Sequence, residues 1–192
     1  QADEAPQTVS LPRYLLAVFE LSQDQWRRIA GSEPWSVVPT DIVEPPVGAG
    51  GAAPAYGISF DAAQSGLAAW SATRPVGLAL PSAAQWEVAC RAGDGGLYAW
   101  NEPAAQATIS TLAVVAETAG SRPGPKTVGQ RGGNAWNLRD MHGNVWELTS
   151  DGLLRGGSWS DPLLQARAAN RVQIDRAAPH PLVGVRPVLI LP

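Results

Sequence analysis

Apolar and polar positions alternate weakly from Tyr14 to Glu20, in a stretch rich in β-formers, and predict a strand. Ser22-Gln23-Asp24-Gln25 then matches a capping box, in which the Ser and Gln side chains each take up a free backbone amide of the first turn. It opens a short helix through Ile29 that Gly31 ends. Residues 32 to 57 hold most of a Pro/Gly/Ala loop, including Glu44-Pro45-Pro46 and Gly48 to Ala53, and predict a long surface excursion. Ser59 caps a second helix whose apolar positions Phe60, Ala63, Leu67 and Trp70 recur at helical spacing. Ser82 and Gln85 form another capping box, and Trp86, Ala89 and Cys90 make one face of a third helix ending near Gly93. After Gly93 the helical signals stop. From Tyr98 to Pro192 short β-prone runs sit between Gly, Pro and Asn clusters, which predicts an irregular two-sheet region rich in loops. The expected class is α+β, with two or three short helices, in a single domain over residues 1–192.

Composition narrows the functional classes. Charged residues are only 16% of the chain, against 20 Gly and 17 Pro, which favours turns over long helices. A net charge of −3 provides no basic footprint for nucleic acid and no polybasic face for anionic lipid, so neither is expected as a partner. No run approaches the ~18 apolar residues of a membrane span, and no membrane insertion is expected. Cys90 is the only cysteine, which leaves no intrachain disulfide and no Cys-cluster metal site. Compartment and oligomeric state are left open by these numbers.

Two late stretches organise the rest: Asp140-Met141-His142-Gly143-Asn144-Val145-Trp146-Glu147, and then Arg155-Gly156-Gly157-Ser158-Trp159. They place a turn, a strand and a tight glycine bend ahead of a tail, Ser160 to Leu182, that follows no core-like period. Earlier motifs stand in order before them: Tyr14 to Trp26, Gly57-Ile58-Ser59-Phe60-Asp61-Ala62-Ala63, and Leu80-Pro81-Ser82 through Trp86-Glu87-Val88-Ala89-Cys90-Arg91-Ala92-Gly93. With the closing Gly184-Val185-Arg186, the set resembles the formylglycine-generating enzyme (sulfatase-modifying factor) family from about residue 13 to 188. The resemblance implies a C-type-lectin-like fold, with helices against twisted antiparallel sheets and long irregular loops.

The chain departs from the family's oxidases at the chemistry. Members that oxidise a substrate cysteine to formylglycine carry a cysteine pair after Gly-Gly-Ser-Trp, where the thiolates bind copper. Ser160 to Pro192 contains no cysteine, hence no soft ligand for Cu(I) and no thiolate nucleophile there. Cys90 lies on the apolar helix face and reads as a buried, inert thiol. The related iron-dependent sulfoxide synthases use several histidines, whereas only His142 and His180 exist here. Catalytic residues are therefore not expected, and no cofactor is required.

The tail resembles instead the C-terminal variable region of the variable proteins of diversity-generating retroelements, here about residues 155–187. Its implied frame is Arg155, Gly156, Gly157, Ser158, Trp159, Arg167, Ala168, Ala169, Arg171, Arg176, Gly184, Arg186 and Pro187, with Val185 replacing the usual aromatic of the closing motif. The implied displayed positions are Ser160, Asp161, Leu163, Leu164, Gln165 and Asn170, then Val172, Gln173, Ile174 and Asp175, then Pro179, His180 and Leu182. On this reading the protein binds a protein or other macromolecular ligand through diversified side chains. The alternatives from other classes are an oxidase homologue and an inactive scaffold with a fixed partner.

Physical chemistry accounts for such a division without the resemblance. Glycines allow the sharp bend, Trp159 supplies a large anchor, and planar Arg forks can hold loop carbonyls that lack sheet partners. Side chains between the anchors need not pack, so Leu163, Leu164, Val172, Ile174 and Leu182 could form an apolar recognition patch; the same five also suit an ordinary core. Asn144, the Val145 carbonyl and Glu147 match positions that hold a structural calcium ion in formylglycine-generating relatives, and hard oxygen ligands suit that ion. Gly143-Asn144 equally suits a plain turn with Glu147 paired to an arginine. His142 is expected to hydrogen-bond a loop carbonyl, and His180 to be a contact or solvated side chain.

Overall fold

The computed structural model describes residues 8–38, 50–100, 106–120 and 124–191. Helix α1 (Gln23–Ala30) begins at a complete capping box: Ser22 Oγ accepts the Gln25 amide at 3.3 Å, and Gln25 Oε1 accepts the Ser22 amide at 2.8 Å. Gly31, with φ of 65°, ends it in the left-handed region. Ser59 caps α2 (Phe60–Ser71), and Ser82 with Gln85 forms a second capping box on α3 (Ala83–Arg91). A further helix, α4 (Gln106–Leu112), lies where the sequence predicts none. Thr108, Ile109 and Thr111 are β-branched and weak helix formers. Tertiary burial overrides that preference, because Ile109 and Leu112 pack onto a cluster of Tyr98, Trp100, Ala113, Val115 and Ala166.

The sheets are small. Strands β1 (Tyr14–Leu16) and β2 (Leu78–Ala79) flank β9 (Val188–Ile190) antiparallel, so the predicted opening strand shortens to its first three residues and the chain's two ends close one sheet. β3 (Ala113–Val114) pairs in parallel with β4 (His142–Gly143). The third sheet runs β7 (Val172–Gln173), β6 (Leu153–Arg155), β5 (Trp146–Leu148), β8 (Val183–Gly184), with β5–β6 antiparallel and β5–β8 parallel. Among the described residues, four α-helices with mixed sheets make an α+β fold of C-type-lectin-like type.

The main core joins α1 and α2 to the third sheet through Trp26, Ile58, Phe60, Leu67, Leu148 and Val183. The second half of the expected surface excursion belongs to this core. Ala53, Ala55 and Tyr56 are buried, and two bonds, Gln23 N to Ala53 O and Ala55 N to Leu21 O, both 2.8 Å, stitch the segment to the start of α1. Apolar Ala and Tyr in a loop still remove area from water, which the Pro/Gly pattern did not reveal. Glu44-Pro45-Pro46 lies outside the described residues.

A polar knot ties the core to the termini. Arg186, fully buried, donates from Nε and Nη2 to the Glu147 carboxylate at 2.6 to 3.0 Å, from Nη1 to Ala17 O at 2.9 Å, and from Nη2 to Arg139 O at 2.8 Å. Trp86 Nε1 donates to the other side of Glu147 at 2.5 Å. Glu20 Oε2 sits 3.8 Å from Arg186 Nη2, and Glu20 Oε1 accepts from Asn144 Nδ2. Three carboxylates, Glu20, Asp140 and Glu147, thus share the field of one guanidinium in a buried site. Burial, and then the neighbouring carboxylates, raise Glu20 well above its ordinary value; burial likewise raises Asp140.

Trp159, 7% exposed, lies in the main core, and Trp159→Ala is expected to destabilise the fold by about 3 kcal/mol or more, read as the midpoint of chemical denaturation. The Glu20 shift has a sign that can be measured. A carboxyl raised in the folded state holds its proton more tightly there, so its stabilising contribution is present in acid and declines as pH climbs above the ordinary value of 4.5 toward the raised one. Glu20→Gln keeps the acceptor for Asn144 without the titrating charge. Its stability relative to wild type should therefore improve as pH rises above the ordinary carboxyl range, and parallel stability–pH curves for the two proteins would rule this out.

Candidate ligand-binding site

The tail leaves the third sheet at β6, rejoins it briefly as β7 beside β6, and ends at β8 on the opposite side of β5. Its exit is a double glycine bend, with φ of 90° at Gly156 and 75° at Gly157. A Cβ at Gly156 would lie 3.1 Å from the Trp86 ring, and one at Gly157 3.1 Å from Ala166 Cα, so both backbone angle and packing demand glycine. The chain then drops Trp159 into the core, its amide bonded to Asn144 O at 2.9 Å.

Arg155 holds the middle of the tail. It is 1% exposed and stacks 5.3 Å from the Trp86 ring, donating to Ala168 O, Ala169 O and Asn170 O at 2.8 to 3.0 Å and to Glu87 Oε2 at 2.5 Å. Arg167 Nε donates to Leu164 O at 3.0 Å, closing the short 3-10 turn Leu163–Ala166. Ala166, Ala168 and Ala169 are fully buried beneath these arginines. The return is fixed by Gly184, where a Cβ would meet Ala55 O at 2.6 Å, and by the Arg186 knot. Two residues of the expected frame behave differently. Arg171 is exposed, and Arg176 is exposed with its guanidinium stacked 3.7 Å from the Phe60 ring.

Of the residues predicted for display, Ser160, Leu164, Val172, Gln173, Asp175, Pro179 and His180 are exposed. Val172 and Gln173 form β7, the outer strand of its sheet. His180 accepts the Leu182 amide on Nδ1 at 3.2 Å, a turn contact that leaves its ring at the surface. Gln165 and Asn170 are half-buried and bonded to each other, Asn170 Nδ2 reaching Gln165 Oε1 at 3.0 Å.

The expected five-residue apolar patch does not assemble. Leu164 (54%) and Val172 (41%) are exposed, whereas Ile174 and Leu182 are half-buried against the main core and Leu163 against the Tyr98 cluster. Asp161 is corrected more sharply. Its Oδ2 accepts from Trp146 Nε1 at 2.8 Å, Ser158 N at 3.0 Å and Ser158 Oγ at 2.5 Å, and its backbone oxygen accepts from Ala116. It supports the bend rather than the display. The Ser158-x-x-Asp161 spacing, suited to a side chain bonding a backbone amide three residues back, was the available signal. Glu87, which meets Arg155, had no such signal because the pair is remote in sequence.

In the Asn144–Glu147 stretch the expected calcium ligands already have protein partners. Both Glu147 oxygens already accept from Arg186, and one also from Trp86. Asn144 Oδ1 accepts the Lys126 amide at 2.7 Å, while its Nδ2 faces Glu20 and Lys126 O. A divalent ion shared by Asn144, Val145 and Glu147 would have to displace a buried guanidinium, so these residues do not fit calcium in this arrangement.

The one buried thiol is equally committed. Cys90 Sγ lies 3.6 Å from His142 Nε2, which also accepts the Ala99 amide at 3.1 Å, and His142 Nδ1 donates to Ala166 O at 2.8 Å. Burial pushes the thiol's pKa up and lowers His142 to about 4, so at neutral pH the two stay uncharged rather than forming a thiolate–imidazolium pair. His142 anchors Ala99 and the tail's Ala166 turn, with the Cys90 thiol packed beside its ring.

The fold has structural relatives. No curated protein matches the chain by sequence. Among solved structures, variable protein 1 of Treponema denticola aligns over 97% of this chain and 87% of its own, with TM-score 0.84 and 21% identity. PvdO from Pseudomonas aeruginosa aligns over 100% and 86%, with TM-score 0.79 and 19% identity, and CarF over 96% and 89%, with TM-score 0.76 and 18% identity. These likenesses establish the shared fold. The sulfatase-modifying factor enzyme 1-like domain model matches residues 1–190 in sequence, and it is to this family that the chain belongs.

Proposed function

We propose that the protein is a non-catalytic, ligand-binding variable protein of the diversity-generating-retroelement kind, presenting exchangeable side chains from residues 160–182 to a protein or other macromolecular target. The observation that carries this reading is the sharp division within the tail. Arg155, Gly156, Gly157, Trp159, Arg167, Ala168, Ala169 and Arg186 are buried, while Ser160, Leu164, Val172, Gln173, Asp175, Pro179 and His180 stand in solvent. Exposed side chains on a fixed backbone can change with little cost to folding, since surface substitutions usually stay within about 0.5 kcal/mol. The likeness to a structure described as a variable protein supports the same reading.

Binding on this account needs no cofactor. It would rest on a few anchors, such as Leu164 and Val172, within a rim of Gln173, Asp175 and His180, because a small part of most interfaces carries most of the energy. The absence of cysteine after Trp159 and the neutral, fully engaged Cys90–His142 pair argue against the copper-thiolate chemistry of the family's oxidases.

The deciding experiment is deep sequencing of codons 155–192 across one clonal population and its close relatives. Substitutions concentrated at Ser160, Leu164, Val172 and Gln173, and sparing Asp161 and Arg155, are expected; a tail as constant as the rest of the gene would point to a fixed-partner scaffold. The structural division can be tested separately. Leu164→Ala and Val172→Thr should each leave unfolding free energy within about 0.5 kcal/mol of wild type. Asp161→Ala should cost about 1–3 kcal/mol, because it strands the Trp146 indole donor and two groups of Ser158.

A further inference from the structure

β1 is an edge strand, remote in sequence from the tail. Leu191 N donates to Arg13 O at 3.1 Å and Ala17 N to Pro187 O at 3.0 Å, so Arg13, Leu15 and Ala17 turn their backbone groups toward β9. The amides and carbonyls of Tyr14 and Leu16 face the opposite way, and among the described residues no backbone hydrogen bond reaches them there. Slightly further along, the same edge is in use: Val18 O accepts Arg139 N at 2.8 Å.

Beside the free stretch lies a groove of about 530 Å³, bounded by Tyr14 and Leu16, by Val88 and Ala89 of α3, and by Trp136 and Leu138. Its size is that of an ordinary ligand cleft. Trp136 is 54% exposed on a built turn: Asn134 Nδ2 donates to Ala89 O and Cys90 O at 2.8 and 3.0 Å, and its Oδ1 accepts Trp136 N and Leu138 N, each at 3.0 Å. An exposed indole on a fixed turn is a low-entropy anchor for a partner. Arg13 is the groove's single charged lining residue and has no ion-pair partner among the described residues.

We propose that this edge binds an extended segment of another protein, added as a strand to β1, with apolar side chains in the groove against Trp136 and an acidic side chain opposite Arg13. Strand addition supplies partners for the outward backbone groups of Tyr14 and Leu16, and the groove and Arg13 select the side chains. A second copy of this chain fits less well. From Val9 to Phe19 the strand region holds no carboxylate, so a β1–β1 pair would leave both Arg13 side chains unmatched.

The test uses two acetylated, amidated heptapeptides of alternating Val and Thr, one with a central Glu and one with a central Lys, titrated calorimetrically into the full chain. The Glu peptide should bind at least about tenfold more tightly than the Lys peptide, and Arg13→Glu should reverse that order. Trp136→Ser should weaken the Glu peptide at least about fivefold with the melting temperature unchanged, and N-methylation of the peptide amides on the pairing edge should abolish binding. No saturable binding of either peptide up to about 1 mM, or equal affinity for wild type and Trp136→Ser, overturns the proposal. A dimer in sedimentation that Trp136→Ser dissociates also overturns it, by assigning the groove to a second copy.

Discussion

The buried contact between Arg186 and Glu147 is the constraint on which the rest of this fold depends. One guanidinium holds the central strand of the third sheet, the Ala17 carbonyl after the first strand, and the Arg139 carbonyl ahead of the Asp140–Glu147 motif. Buried ion pairs contribute little net energy when they form, but removing one partner leaves an uncompensated charge at about 3–5 kcal/mol. The consequence is geometric. Arg186 lies just beyond the tail, so the pair fixes where the tail must end, while the Gly156-Gly157 bend fixes where it starts.

Between those two points the backbone is held by arginines acting on carbonyls. A loop of this length has many backbone groups without sheet partners, and each buried one must find a donor or acceptor. Arg155 satisfies three consecutive carbonyls, Ala168 to Asn170, and Arg167 satisfies Leu164. Because these bonds go to backbone rather than to side chains, they define the path of the chain without specifying Leu164, Val172 or Gln173. Rigid backbone and free side chain are thereby separated in one segment, as the proposed function requires.

The same economy of polar contacts bears on chemistry. Among the described residues, several groups with chemical potential serve architecture: His142 anchors loop backbone with Cys90 beside it, and Glu147 neutralises Arg186. The family fold does not by itself decide activity, since function resides in the site and not in the fold.

Local features were legible in the sequence wherever the physics is local. The three Ser-capped helices, the glycine bend and the Trp159 anchor each depend on residues within a few positions of one another, and all stand as their patterns predicted. The family motifs carried the fold. What tertiary structure alone decided was the partnership of residues far apart in the chain. Helix α4 forms because Ile109 and Leu112 are covered by a remote cluster, against their local preference. Ile174, Leu182 and Asp161 face inward because the main core and the Trp146 indole meet them there, and an aliphatic or acidic side chain in a loop bears no mark of which neighbours await it. The sequence by itself determined most of the frame, Arg171 and Arg176 excepted; burial, a property of the whole packed molecule, decided which side chains of the tail remain free.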